Sequence, residues 1–343
     1  MSATRLQVRR SVILVALVVI LVGVMLMSTA VGTAPIKPWD VAGMIAAKMC
    51  PTGLIQHKWP TAHQTIVFQV RLPRITLAAL VGGGLATAGA TYQGLLQNSM
   101  ADPYIIGVSA GASLGATLGI ILRGKLKIFN LSAITILAFL GAVVTTFIVY
   151  NIARTGGRVP VATLLLAGIA ASSLLTAMVS FLMVLSNQSM QEIMYWMMGS
   201  LSGRSWSHVT ASLPYMAIGG LVILLYSREL NLMLLGDEAA RQLGVNVETI
   251  KAVLLAAGSL IAAAAVSVSG VIGFVGLIIP HMVRLFTGPD HGILLPTSAL
   301  TGAVFLVLAD TLARTILAPG ELPVGIITAL AGAPFFLYLL RRQ

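Results

Sequence analysis

Apolar stretches of about twenty residues recur along almost the whole chain, and this pattern limits where it can fold. The hydrocarbon core of a bilayer is ~30 Å thick, a distance that ~20 helical residues cross. A polytopic, all-α membrane protein is therefore the expected class. Composition agrees: 57% of the 343 residues are hydrophobic and 9% are charged, against roughly 25% charged in a soluble domain. Twenty-one basic and ten acidic side chains are too few to cover a soluble surface of this size. The 34 glycines suit close helix packing and broken helices in lipid. Cys50 is the single cysteine, so neither an intrachain disulfide nor a cysteine pair for metal or redox chemistry is possible.

Ten spans fit the sequence, near 11–31, 76–96, 103–122, 131–150, 161–186, 208–227, 250–269, 271–286, 293–309 and 324–340. The first follows Arg5, Arg9 and Arg10 and resembles a signal sequence, but its apolar run is too long and no small-residue cleavage site follows. A hydrophilic connection at 32–70 has room for one or two small helices outside the bilayer. The stretch 191–206 reads as an interfacial helix and turn, with Tyr195, Trp196 and Trp206 at headgroup level. Spans 2–5 and 7–10 read as possible inverted halves, since each opens on a Gly/Ala-rich helix followed by a polar break with Asp-Pro or Pro-Asp.

Placing the N-terminal arginines inside puts both termini in the cytoplasm. It also puts eleven basic residues inside and ten outside, so the usual inward bias of positive charge is weak. A basic outer face suits an acidic soluble partner; exemption of long loops from the rule accounts for part of it equally well.

On the inner side lies LLGDEAARQLG, residues 234–244, which reads as a short charged helix. Asp237 and Glu238 favour its first turn, Asp237 and Arg241 stand at pairing distance in sequence, and Gly244 offers a C-terminal stop. Leu235, Ala239 and Leu243 form an apolar strip. A helix this short is unstable alone; it packs on its own spans or on another protein. No HExxH, CxxC, G-x-S-x-G or phosphate-loop motif occurs, and VGGGLATAG lacks the GK[ST] ending of a nucleotide cradle. His57, His63, His208, His281 and His291 make no metal-ligand spacing, so no cofactor or metal is expected.

Several segments together resemble the FecCD family, the permease subunits of type II ATP-driven importers for cobalamin, haem and ferric siderophores. They are VRLPR at 70–74, GLLQNSMADPYIIGVSAGASLG at 94–115, LLLAGIA at 164–170, LGDEAARQLG at 235–244, GFVGLIIPHMVRLFTGPDH at 273–291, LLPTSALTGAVFLVLADTLAR at 294–314 and ELPVGIITALAGAPFFLYLL at 321–340. The resemblance implies one permease domain over residues 1–343 of a bacterial or archaeal cytoplasmic membrane. It further implies a homodimer with two cytoplasmic ATPases and a periplasmic or lipid-anchored binding protein, and no nucleic-acid partner.

By that resemblance, Gly236, Asp237, Glu238, Ala239, Arg241 and Gly244, within a coupling segment at 230–246, meet the ATPase. Arg71, Arg74 and Arg314 meet acidic residues of the binding protein, against the ordinary reading of snorkelling arginines at span ends. Asn98 and Met100 resemble an inner gate, although Ser99 and Met100 replace the proline and leucine of the commoner NPLA form; a plain turn is the alternative. Asp310, near a span end, is expected to cap or to pair with Arg314. Import of an oxyanion such as molybdate by the same architecture, an ion-coupled transporter using Asp310 or Glu192, and a purely structural membrane subunit are the other readings.

Overall fold

The computed structural model describes residues 3–32, 34–49, 59–122, 127–128 and 131–341. Cys50, His57, Lys58, Arg123, Lys125 and Arg342 lie outside the described residues. Helix α1 (Ala3–Ala30) is followed by α2 (Pro38–Met49), α3 (Thr61–Thr65) and α4 (Leu72–Leu95). One rod runs from Thr61 to Leu95, past Pro73, through a π-helical turn at Ile66–Arg71. Proline lacks an N–H and its ring pushes on the carbonyl four residues back; the wider turn absorbs that misfit and the helix continues.

Next come α5 (Val108–Ile121), an antiparallel hairpin of two-residue strands (β1 Lys127–Ile128, β2 Leu131–Ser132), α6 (Ala133–Ala153), α7 (Val161–Leu185) and α8 (Met190–Met197). The chain ends with α9 (Trp206–Leu225), α10 (Ser227–Met233), α11 (Asp237–Gln242), α12 (Val247–Ser269), α13 (Val275–Thr287), α14 (His291–Ala313) and α15 (Val324–Leu340). Among the described residues, seven helices are long and apolar enough to cross a membrane, and α5, α13 and α15 are shorter apolar helices. These ten fall on the ten predicted spans.

The core forms around α4 and α12, the two most buried of the long helices. They run antiparallel: Gly84 faces Ile261, while the Tyr92 hydroxyl meets Ser259 Oγ at 2.6 Å and donates to the Leu255 carbonyl at 3.0 Å. Small residues set the spacing. A Cβ on Gly82 would sit 2.3 Å from the Gly302 oxygen of α14, and one on Gly89 would sit 1.8 Å from the Gly276 oxygen of α13. Close approach of this kind replaces the hydrophobic drive that lipid cannot supply. Pro280 lies inside α13 and leaves the Gly276 carbonyl without its helical donor; the Gln93 side chain reaches that carbonyl at 3.4 Å and the Leu277 carbonyl at 2.9 Å.

The two expected halves have matching contacts. Helix α4 packs on α13 and α14 as α12 packs on α5 and α6, and the pairs α5–α6 and α13–α14 correspond. Each half also follows its long buried helix with a non-helical break and a short helix of 14 or 13 residues. With α4 and α12 antiparallel, this is the contact pattern of an inverted repeat.

Candidate coupling, docking and gating sites

Helix α11 lies between two glycines in conformations that disfavour other residues. Gly236 has φ 100° and Gly244 has φ 86°. At Gly244 the turn closes by two bonds, Gly244 N to Arg241 O at 2.9 Å and Val245 N to Ala240 O at 3.0 Å, the pairing that satisfies the last carbonyls of a helix. Asp237 does not pair with Arg241, as four-residue spacing had suggested. It accepts from Lys251 of α12, and Arg241 instead donates to Glu248 at 2.9 Å and lies 3.8 Å from Glu238. The reason is competition: α12 returns directly beneath α11 and offers partners in fixed geometry. Glu248 also accepts from the Val159 amide at 3.3 Å, which joins the loop before α7 to the same cluster.

Only Ala240 of α11 is fully buried. Leu235 and Leu243, the ends of the predicted apolar strip, are 65% and 59% exposed. Ala239 lies partly covered between them, and Glu238 is exposed. The segment therefore packs on its own spans through Ala240 and its ion pairs while presenting leucines outward.

A second polar cluster lies at this end. Asn231 of α10 donates to Asp290 at 2.8 Å and accepts from the His291 backbone at 2.8 Å, and Arg10 of α1 also donates to Asp290. Burial disfavours the Asp290 charge, but bonds from Gly292, Asn231 and Arg10 outweigh it and hold the carboxyl below its ordinary range. Arg10 is thus at the α11 end, and α15 starts at the opposite end, where Leu322 N bonds Ala313 O.

At that opposite end the three predicted docking arginines converge, each 6–8% exposed. Arg71 donates to the carbonyls of Thr29 at 2.8 Å, Ala30 at 3.0 Å and Ala34 at 2.6 Å, closing the C-terminus of α1. Arg314 donates to Val31 O at 3.0 Å and to Ser28 O. Arg74 holds Asp310 through Nε and Nη2 at 2.9–3.1 Å and both oxygens of Glu321 at 2.9 Å through Nη1. Asp310 was expected to cap or to pair with Arg314; its carboxylate instead pairs with Arg74. Sequence reasoning had not singled out Glu321; its place in ELPVG was the available signal.

The predicted gate residues occupy a tight turn after α4. Gln97 adopts φ 49°, and the Asn98 side chain accepts from the Met100 amide at 2.9 Å. Asn98 is exposed and Met100 partly so. The Gln97 side chain donates to Met233 O at 2.6 Å, linking the turn to α10. Further along, the Tyr104 hydroxyl donates to Ile272 O at 3.1 Å, joining the break before α5 to the break before α13. Among the described residues no three His, Cys, Asp or Glu side chains are grouped to hold a metal.

Residues 14–342 match the FecCD transport family. The cobalamin import system permease protein BtuC of Halobacterium salinarum is 51% identical over 89% of this chain and 79% of its own. The hemin transport system permease protein HmuU of Yersinia pestis is 44% identical over 81% of this chain and 82% of its own. A solved structure described as an inward-facing conformation of a metal-chelate type ABC transporter superposes with a TM-score of 0.82 at 31% identity. It covers 96% of this chain and 99% of that one.

Proposed function

The chain belongs to the FecCD transport family, and on that premise we propose that it is the multi-pass membrane permease of an ATP-driven cobalamin importer. The 51% identity to a permease named for cobalamin import, over 89% of the chain, carries the cargo. Haem is the second reading, favoured by the 44% identical hemin permease. Two copies form the pathway, two ATPases drive it from the cytoplasm and an external binding protein delivers cargo.

In this reading the α11 end is cytoplasmic and the Arg74 end external. The exposed Leu235 and Leu243 seat in the ATPase, with Asp237, Glu238, Arg241 and the glycine-bounded backbone at the contact. A push on α11 passes through Lys251 and Glu248 into α12, and from α12 into α4 at Tyr92 and Ser259. It also reaches α14 and α1 through Asn231 and Asp290. Asn98 and Met100 narrow the cytoplasmic exit, the turn being tied to α10 by Gln97. At the outer end, acidic groups of the binding protein displace Glu321 from Arg74, while Arg71 and Arg314 hold the frame.

An ion-coupled transporter is the weaker reading. Asp310, the acid it would use, is gripped on both oxygens by Arg74, and Glu192 is exposed on α8. The test is uptake into vesicles holding the chain with its ATPase, using binding protein loaded with cobalamin, haem or a ferric siderophore. ATP-dependent uptake of cobalamin is expected. Uptake of haem alone would overturn the cargo, and accumulation driven by an ion gradient without ATP would overturn the class.

A further inference from the structure

Between α6 and α12, at the α11 end of the molecule, a groove of about 410 Å³ opens on the surface. That volume falls within the roughly 300–1,000 Å³ of small-molecule sites. Its walls are apolar: Phe147 and Val143 of α6, Leu164 of α7, Ala256 and Leu260 of α12. Its rim is polar, with Asn151 and Arg154 at the last turn of α6. Arg154 is exposed and makes no side-chain hydrogen bond or ion pair with the described residues, and the same holds for Arg158. The two are joined by a backbone bridge between Thr155 and Arg158, across glycines with φ 60° and 79°. One unneutralised cation, Arg154, therefore stands at the mouth of an apolar slot, and a second, Arg158, belongs to the same bridged turn.

We propose that this groove binds one anionic phospholipid, its phosphate on Arg154 and Arg158 and an acyl chain between α6 and α12. Charge complementarity selects this occupant. The apolar walls exclude a free phosphate, and the groove offers no carboxylate to a neutral or zwitterionic amine. Arginine at the end of a span, with stem in lipid and head at the surface, is suited to a lipid phosphate. The groove floor includes Leu255 and Ser259, which hold the Tyr92 hydroxyl where α12 meets α4. Occupancy accordingly stiffens the joint between those helices.

The test uses the purified chain in nanodiscs of phosphatidylcholine with phosphatidylglycerol added in increasing fraction. Thermal unfolding and native mass spectrometry of retained lipid are the readouts. Phosphatidylglycerol is expected to raise the unfolding midpoint and to be retained at one per chain. The double variant R154A/R158A keeps its midpoint in phosphatidylcholine and loses the increment; A256F, which fills the slot, loses retention with both arginines present. Equal midpoints in the two lipids, or an increment unchanged in both variants, would overturn the assignment. So would disulfide crosslinking between copies through A256C, which would place a second chain in the groove.

Discussion

Arg74 and Asp310, at opposite ends of the sequence, form a two-pronged ion pair in which both carboxylate oxygens are held at 2.9–3.1 Å. Side-chain exposures of 10% and 1% mean that neither charge has water to fall back on. Removing one partner leaves the other buried and uncompensated, which costs about 3–5 kcal/mol. Asp310→Ala is expected to lose stability toward the lower end of that range, since Glu321 still faces Arg74. The paired change Arg74→Leu with Asp310→Leu should cost much less. Thermal unfolding of the purified chain reads both, and a double variant as unstable as the single one would show that the pair is not the cause.

Glu321 differs from Asp310 in being partly open, with 38% of its side chain exposed. If the binding protein uses Arg74, it competes with Glu321 for the same guanidinium. Glu321→Gln should therefore tighten association of the loaded binding protein, with a gain that shrinks as salt rises. Reversing Arg71 or Arg74 is a poorer test, because it also breaks the closure of α1 or the Asp310 pair. Unchanged or weaker association on removal of the Glu321 charge, measured by surface plasmon resonance at two salt concentrations, would exclude this competition.

The glycine contacts rank themselves by distance. At Gly89 an added methyl would fall 1.8 Å from a backbone oxygen; at Gly83 it would meet Ala299 O at 3.0 Å; at Gly23 it would meet nothing within 4 Å. Backbone cannot swing aside as a side chain can, and overpacking typically costs about 1–3 kcal/mol. Gly89→Ala should thus be the most damaging of the three, at or beyond that upper value. Gly83→Ala should be mild and Gly23→Ala neutral or slightly stabilising. Yield and unfolding midpoint after extraction check the order.

The spans were legible because crossing a bilayer needs only length and apolarity, which are local properties of the sequence. The position and termini of α11 were legible for a similar reason, since its glycines and its first-turn acids act within a few residues. Partners were not. Asp237 had Arg241 nearby in sequence, yet Lys251 takes it; Asp310 had Arg314 nearby, yet Arg74 takes it. In both cases the winning partner comes from another helix, and helix packing decides which cation arrives in reach. Arg71 and Arg314 bond mainly to carbonyls, and a carbonyl acceptor leaves no mark in a sequence. The π-helical turn before Pro73 was hidden likewise, because the proline signalled a misfit without saying whether the chain would stop or widen.

Arg241 tests whether α11 acts outward or merely packs. Its bond to Glu248 is partly exposed, 34% and 28% for the two side chains, so the pair itself contributes about 1 kcal/mol or less. Arg241→Glu removes that bond and sets two acids against each other; both stability and coupled transport should fall. Exchanging the charges, Arg241→Glu with Glu248→Arg, restores the pair though not the acceptor for the Val159 amide, and should recover most of the lost unfolding midpoint. It does not restore a cation at position 241 for an ATPase groove, so substrate-stimulated ATP hydrolysis should remain low. If the exchange recovers hydrolysis as well as stability, Arg241 serves only to hold α11 on α12. The proposed contact with the ATPase would then rest on the exposed leucines with Asp237, Glu238 and the glycine-bounded backbone, and Leu235→Asp and Leu243→Asp would become the variants that separate hydrolysis from transport.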